Sequence, residues 1–171
     1  LERLVAALRL YGLDPATAFA WDPARAPYPG LRAFDADDAA VFFGRDEEIG
    51  ELLERLRPSL RRRSASLALV GPSGSGKSSL VHAGLLPRLR RMPAEWVVLP
   101  PVFPGDRPLE ALARSAGIPV ERLREEPSAL DEAARVLAPD RLLVLLFVDQ
   151  SEELVTLAGD EARDEFVRVL A

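Results

Sequence analysis

Leu67-Ala68-Leu69-Val70-Gly71-Pro72-Ser73-Gly74-Ser75-Gly76-Lys77-Ser78-Ser79-Leu80 is the stretch that decides how this chain is read. A short apolar run meets a glycine-rich turn, and the turn opens a helix. Gly71-x-x-x-x-Gly76-Lys77-Ser78 is a complete phosphate-binding loop of the Walker A type. Gly71, Gly74 and Gly76 let the backbone take conformations that a side chain forbids, so successive N–H groups can face an anion. The helix starting near Lys77 adds its positive end. Lys77 is the residue that reaches the β- and γ-phosphates, and the Ser78 hydroxyl is placed to ligate Mg²⁺. The candidate cradle is therefore Gly71, Pro72, Ser73, Gly74, Ser75, Gly76, Lys77, Ser78 and Ser79. A plain serine-glycine turn is the alternative, but all four fixed positions match and the flanks read strand, then helix. The chain has 22 basic residues, and Lys77 is its only lysine. A wide planar guanidinium does not replace a compact ammonium at a phosphate site.

With 171 residues, 48% of them hydrophobic and 29% charged, the chain is long and apolar enough for one domain with a core. A net charge of -5 argues against broad nucleic-acid binding. Without cysteine there is no disulfide framework, thiolate zinc site or cysteine nucleophile, which fits a reducing cytoplasmic setting. No apolar run approaches the roughly 18 residues of a membrane span, so no membrane partner is expected. The chain opens at Leu1 rather than methionine and ends at Ala171 inside an apparent helix. The expectation is a piece of a larger protein.

Outward from the loop, Leu1 to Leu13 reads as a helix, and Pro15, Pro23, Pro27 and Pro29 mark an extended connector. Residues 1–26 are thus expected to be the tail of a preceding domain, and 27–171 the domain itself. Asp37 or Asp38 is a candidate helix cap. Gly44 permits a tight turn before a helix from about Asp46 to Leu60, with Ile49, Leu52, Leu53 and Leu56 at helical spacing. Arg61, Arg62 and Arg63 read as a solvated basic run. Leu67 to Val70 is the first core strand, and Lys77 to Arg91 the following helix, which Pro87 should kink or end near Leu86. His82, the only histidine, receives no role. A second strand covers Glu95 to Leu99 and stops at Pro100-Pro101. Leu109 to Ala116 is a helix started by Pro108 and capped by Asp106. Val120 to Leu137 is helical with a break at Pro127, where Ser128 and Asp131 resemble a capping pair.

Arg141 to Val148 contains seven consecutive apolar residues, the pattern of a central parallel strand buried on both faces. Asp149 stands at its carboxyl end. This is the Walker B arrangement, in which the carboxylate holds Mg²⁺ directly or through a water. Alone it is a weak signal; with a full Walker A upstream, each motif raises the odds on the other. Glu152 and Glu153 are candidates for polarising an attacking water, and the residues alone do not choose between them. Phe166, Val167 and Leu170 pattern the last helix.

Three segments carry a resemblance to the STAND class of signalling P-loop NTPases, kin of the NACHT and NB-ARC groups, and most closely to bacterial novel STAND domains. Tyr28-Pro-Gly-Leu-Arg-Ala-Phe34 resembles the entry segment. Phe42-Phe-Gly-Arg-Asp-Glu-Glu48 is similar to the hydrophobic-hydrophobic-Gly-Arg-Glu-x-Glu element, with Asp46 where glutamate is commoner. Asp149-Gln-Ser-Glu-Glu-Leu154 is similar to the Asp-Gln-Phe-Glu-Glu-Leu Walker B, with Ser151 in place of phenylalanine. The resemblance implies a three-layer α/β P-loop fold of the ASCE type with a parallel sheet. It implies that Gly44 and Arg45 lie near the base and ribose of ATP. It also implies a slowly hydrolysing ATP·Mg²⁺ switch that self-associates through the NTPase domain. Such domains sit between an upstream effector and downstream sensor repeats, and residues 1–26 resemble the linker that follows TIR effectors. A further strand between the P-loop and Walker B strands would follow Ala171, so this piece covers the N-terminal portion and is expected by itself to fold poorly or bind nucleotide weakly, with weak or absent hydrolysis. The other readings are a ring-forming ATPase machine, a nucleotide-binding scaffold without turnover and, last, a small-molecule phosphotransferase. An Asn-Lys-x-Asp guanine reader is impossible here with a single lysine at position 77.

Overall fold

A computed structural model of the chain describes residues 22, 24–56, 65–139 and 143–171. It divides into two units, Leu1–Arg91 and Met92–Ala171. The expected first helix and the basic run at Arg61–Arg63 lie outside the described residues.

In the first unit, a 3-10 helix spans Ala36–Val41. Its cap is Asp35, not Asp37 or Asp38 as expected. The Asp35 carboxylate accepts from the Asp37 N–H at 2.9 Å, while Asp38 reaches back to the Asp35 N–H at 3.0 Å. Such reciprocal bonding satisfies two donors at once, and a reading of single residues misses it. Asp38 is buried, and Arg25 Nη2 donates to its Oδ1 at 3.0 Å. Burial works against the Arg25 charge, but Asp38, Asp37 and Asp35 outweigh it and raise the guanidinium pKa.

Gly44, at φ +79°, makes the predicted turn, and helix α1 follows over Asp46–Leu56. Ile49, Leu52 and Leu56 are buried, as the spacing predicts, and acidic residues occupy the first turn. Helix α2 follows the glycine loop in three joined pieces: α-helical Lys77–Ser79, π-helical Leu80–Leu85 and α-helical Leu86–Arg90. Of the kink or end expected near Leu86, the end does not occur: the helix runs on through Pro87, changing there from π-helical to α-helical. The Leu86 N–H bonds five residues back, to the Val81 carbonyl. That wider turn brings Pro87 into the first turn of a fresh α-helical segment, where a missing N–H costs little. Gly84 lies at the contact with α1. A Cβ there would come within 2.8 Å of Ile49 Cδ1 and 3.3 Å of Phe42 Cε1.

The second unit holds two short parallel strands, β1 (Trp96–Val98) and β2 (Leu143–Leu145), in the register Trp96↔Leu143, Val97↔Val144 and Val98↔Leu145. Pro100 and Pro101 have no N–H to donate, so the ladder breaks after the Leu99 N–H bond to Leu145 O. It resumes at Val102, which bridges to Val148. Helices α3 (Pro108–Ala116), α4 (Val120–Glu125), α5 (Ala129–Leu137), α6 (Glu153–Thr156) and α7 (Asp160–Leu170) complete the unit. Its core gathers Val102, Leu109, Leu112, Leu123, Phe166 and Val169, with Leu146 and Val148 packed against them from one face of the strand.

Several expectations change here. Residues 143–148 are half-buried rather than buried on both faces. The cap position of α3 is Arg107, not Asp106, and no side chain bonds its first turn; Pro108 does start it. Ser128 takes the cap position of α5 but makes no cap bond, because its own backbone is helical and turns the hydroxyl away from the task. On α7, Phe166 is buried as predicted, whereas Val167 and Leu170 are exposed and Val169 is buried instead. The largest change concerns Leu67 to Val70. Among the described residues this run pairs with no strand, and Leu67, Leu69 and Val70 are exposed. Hydropathy marks residues that a sheet would bury, but a strand exists only where a neighbour supplies its hydrogen bonds.

Candidate functional site

The glycine loop, residues 71–76, is built locally. Gly74 and Gly76 stand at φ +75° and +81°, a region that other residues enter at a cost. Gly76 caps α2 in this left-handed conformation, and Leu80 N–H bonds its carbonyl at 2.8 Å. The turn closes through Ser75 N–H to Pro72 O at 3.3 Å. Lys77 arcs over the loop, and its ammonium donates to Gly71 O at 2.8 Å and Pro72 O at 2.9 Å. Gly71 lies under that arc: a Cβ there would meet Ser75 Oγ at 3.2 Å and Lys77 Cδ at 3.6 Å. Ser73 is exposed at the turn, and Ser78 stands half-buried beside Lys77 in the first turn of α2. The Ser79 hydroxyl accepts from the Phe34 N–H at 3.1 Å, which ties the entry segment to the loop helix.

The Gly44-Arg45 element is fixed to the same helix. Arg45 Nε lies 2.7 Å from Glu48 Oε1. At the next residue, Asp46 Oδ1 accepts from Arg88 Nη2 at 2.8 Å, and Arg88 Nη1 donates to Gly84 O at 2.8 Å. Burial lowers the Arg88 pKa, with Asp46 opposing and Arg91 adding to the effect.

In the second unit, Asp149 is buried at the carboxyl end of its strand. Its N–H donates to Val102 O at 2.9 Å, so the pairing that resumes past the two prolines is what positions it. Its Oδ1 accepts from the Gln150 N–H at 3.0 Å. Gln150 has φ +55°, the only positive φ at a non-glycine among the described residues. A residue held this way costs about 1–3 kcal/mol and persists where its surroundings demand it. Of the acidic pair, Glu152 is exposed, and its carboxylate has no hydrogen-bond partner among the described residues. Glu153 Oε2 accepts from the Gly105 N–H at 2.9 Å. Sequence reasoning missed Val102 and Gly105. The Pro104-Gly105 dipeptide is the one signal that could have flagged a turn there.

Lys77, Ser78 and the Gly44-Arg45 element belong to the first unit; Asp149, Glu152 and Glu153 belong to the second. Among the described residues no group of three or more His, Asp or Glu could by itself hold a metal. The Asp149 carboxylate and the Ser78 hydroxyl are each, by type, oxygen donors of the kind that Mg²⁺ takes alongside phosphate oxygens and waters. The cradle a Cβ would fill at Gly71 likewise suits close approach by phosphate.

These features define a P-loop NTPase domain. The family model described as Novel STAND NTPase 1 matches residues 27–171, and the chain belongs to that family. No curated protein and no solved structure matches it significantly. The family implies use of a nucleotide and a divalent metal. No helix among the described residues is long and apolar enough to cross a membrane.

Proposed function

We propose that this domain binds ATP·Mg²⁺ and hydrolyses it slowly, as the nucleotide switch of a signalling protein. The observation that carries the reading is the Walker A loop in its local geometry, with Gly74 and Gly76 at positive φ and the Lys77 ammonium folded over the loop carbonyls. Family membership over residues 27–171 supports it. The backbone of residues 71–79 wraps the phosphates, and Lys77 leaves its two carbonyls to neutralise the β- and γ-oxygens. Ser78 and Asp149 hold Mg²⁺, which when bound draws charge from the phosphates. Glu152 or Glu153 polarises the attacking water. Gly44 and Arg45 lie at the base and ribose and report occupancy to α1.

In this reading Leu67 to Val70 becomes the P-loop strand of a three-layer parallel sheet. Self-association then passes the state to an effector upstream, in answer to sensor repeats downstream. The test is equilibrium binding of a fluorescent ATP analogue to the whole protein with and without Mg²⁺, followed by single-turnover hydrolysis. Tight Mg²⁺-dependent binding with slow turnover is expected. Binding without turnover would leave an inert scaffold, and no binding would end the reading.

A further inference from the structure

The acidic pair after Asp149 is not equivalent. Glu153 is half-buried, and its Oε2 accepts from the backbone N–H of Gly105 at 2.9 Å, across 48 residues of chain. Gly105 sits at φ +56° directly after the buried Pro104, so the turn that follows Val102 is tight and its amide has a fixed direction. Val102 in turn accepts the Asp149 N–H. The loop after the first strand and the acidic turn after the second are thus bonded twice, once through backbone at Asp149 and once through the Glu153 side chain. Both bonds lie at the carboxyl edge of the sheet, where ligands of parallel sheets bind. Glu152, one residue earlier, has an exposed carboxylate.

We propose that Glu153 is a positioning residue that pins the Pro104-Gly105 turn, and that Glu152 alone polarises the attacking water. The inference deepens the reading of the acidic pair given under Proposed function and rests on it. A carboxylate already held by a backbone N–H is less free to turn toward a water. An exposed carboxylate at the same edge keeps both oxygens for that task.

The test uses the whole protein with three variants: Glu152→Gln, Glu153→Gln and Glu153→Ala. Glutamine at 153 keeps an oxygen for the Gly105 N–H, whereas alanine removes it. Single-turnover hydrolysis should fall by about 10²–10⁴-fold in Glu152→Gln, with nucleotide affinity retained. Glu153→Gln should stay within about threefold of the parent in both quantities. Amide exchange at Gly105 should speed up by about tenfold or more in Glu153→Ala and be restored in Glu153→Gln. A Glu153→Gln protein that binds ATP but no longer hydrolyses it, with the Gly105 amide still protected, overturns the proposal. So does a Gly105 amide that exchanges at the parent rate in Glu153→Ala. Equal hydrolysis in the parent and both glutamine variants instead overturns the general-base reading under Proposed function. The pinning of Gly105 is then decided by the amide measurement alone.

Discussion

The Walker A and Walker B segments reach their geometry by opposite routes. Residues 71–77 shape themselves through contacts no more than six residues apart, from Lys77 to Gly71 and Pro72 and from Ser75 to Pro72. The loop takes this form although Leu67 to Val70 before it pairs with nothing among the described residues. Asp149 is held instead by distant parts of the chain, through Val102 and the strand register set at Trp96 and Leu143. An anion cradle is a local device, whereas an aspartate at a strand end is only as well placed as its neighbouring strand.

The comparison breaks first at Lys77. Lys77→Ala removes the one ammonium in the chain and leaves the loop carbonyls without it. ATP affinity should fall by about 10³-fold, or about 4 kcal/mol, measured by titration of a fluorescent analogue. Because the loop is local and exposed, the melting temperature should barely move. A large loss of stability with unchanged affinity would show that the loop is a structural turn and not a phosphate site.

Next is the packing that carries the loop helix. Gly84 and Gly50 are both helical glycines, but only Gly84 is crowded: a Cβ would approach Ile49 Cδ1 to 2.8 Å there, and would meet nothing within 4 Å at Gly50. Gly84→Ala should cost about 1–3 kcal/mol by overpacking, and Ile49→Val in the same chain should recover part of it by removing that methyl. Gly50→Ala should stabilise by up to about 1 kcal/mol through helix propensity. Denaturant melts of the four proteins form the check, and equal effects at the two glycines would refute the close contact.

At Asp149, Asn keeps an oxygen for the Gln150 N–H but loses the charge. Asp149→Asn should therefore spare the fold and remove about tenfold of the Mg²⁺-dependent part of ATP affinity. Titrations with Mg²⁺ and with EDTA separate the two parts. If the variant loses Mg²⁺-independent binding equally, residue 149 does not address the metal.

How much of this was legible in the sequence follows the same division. The Gly44 turn, the buried stripe Ile49, Leu52 and Leu56, the break near Pro127 and both strands are local patterns, and each could be read from neighbours in sequence. The family could be read from three short segments, and its model matches the same span from residue 27 to 171. Caps were harder. Asp35, Asp37 and Asp38 are equally good cap residues by type, and only the reciprocal bond with Asp38 selects Asp35. The passage of α2 through Pro87 depends on a π-helical segment that no residue type announces. The hold of Val102 on Asp149 and of Glu153 on Gly105 joins positions 47 and 48 residues apart, beyond any window of local pattern.

The smallest effect tests whether the distant route stores strain at its end. Gln150 is held at φ +55° while its N–H serves the Asp149 carboxylate. Glycine enters that region freely, but it also widens the unfolded ensemble, and the two effects nearly cancel. Gln150→Gly should thus change stability by only about 0.5 kcal/mol in either direction, whereas Gln150→Val, a branched residue that resists positive φ, should lose about 1–2 kcal/mol. If the left-handed conformation exists to aim the carboxylate, both variants should weaken Mg²⁺-dependent ATP binding, valine by more. No loss in the valine variant would mean that Asp149 is aimed by Val102 and the strand register alone. The Walker B half would then owe its geometry to the sheet without local help, the reverse of the loop around Lys77.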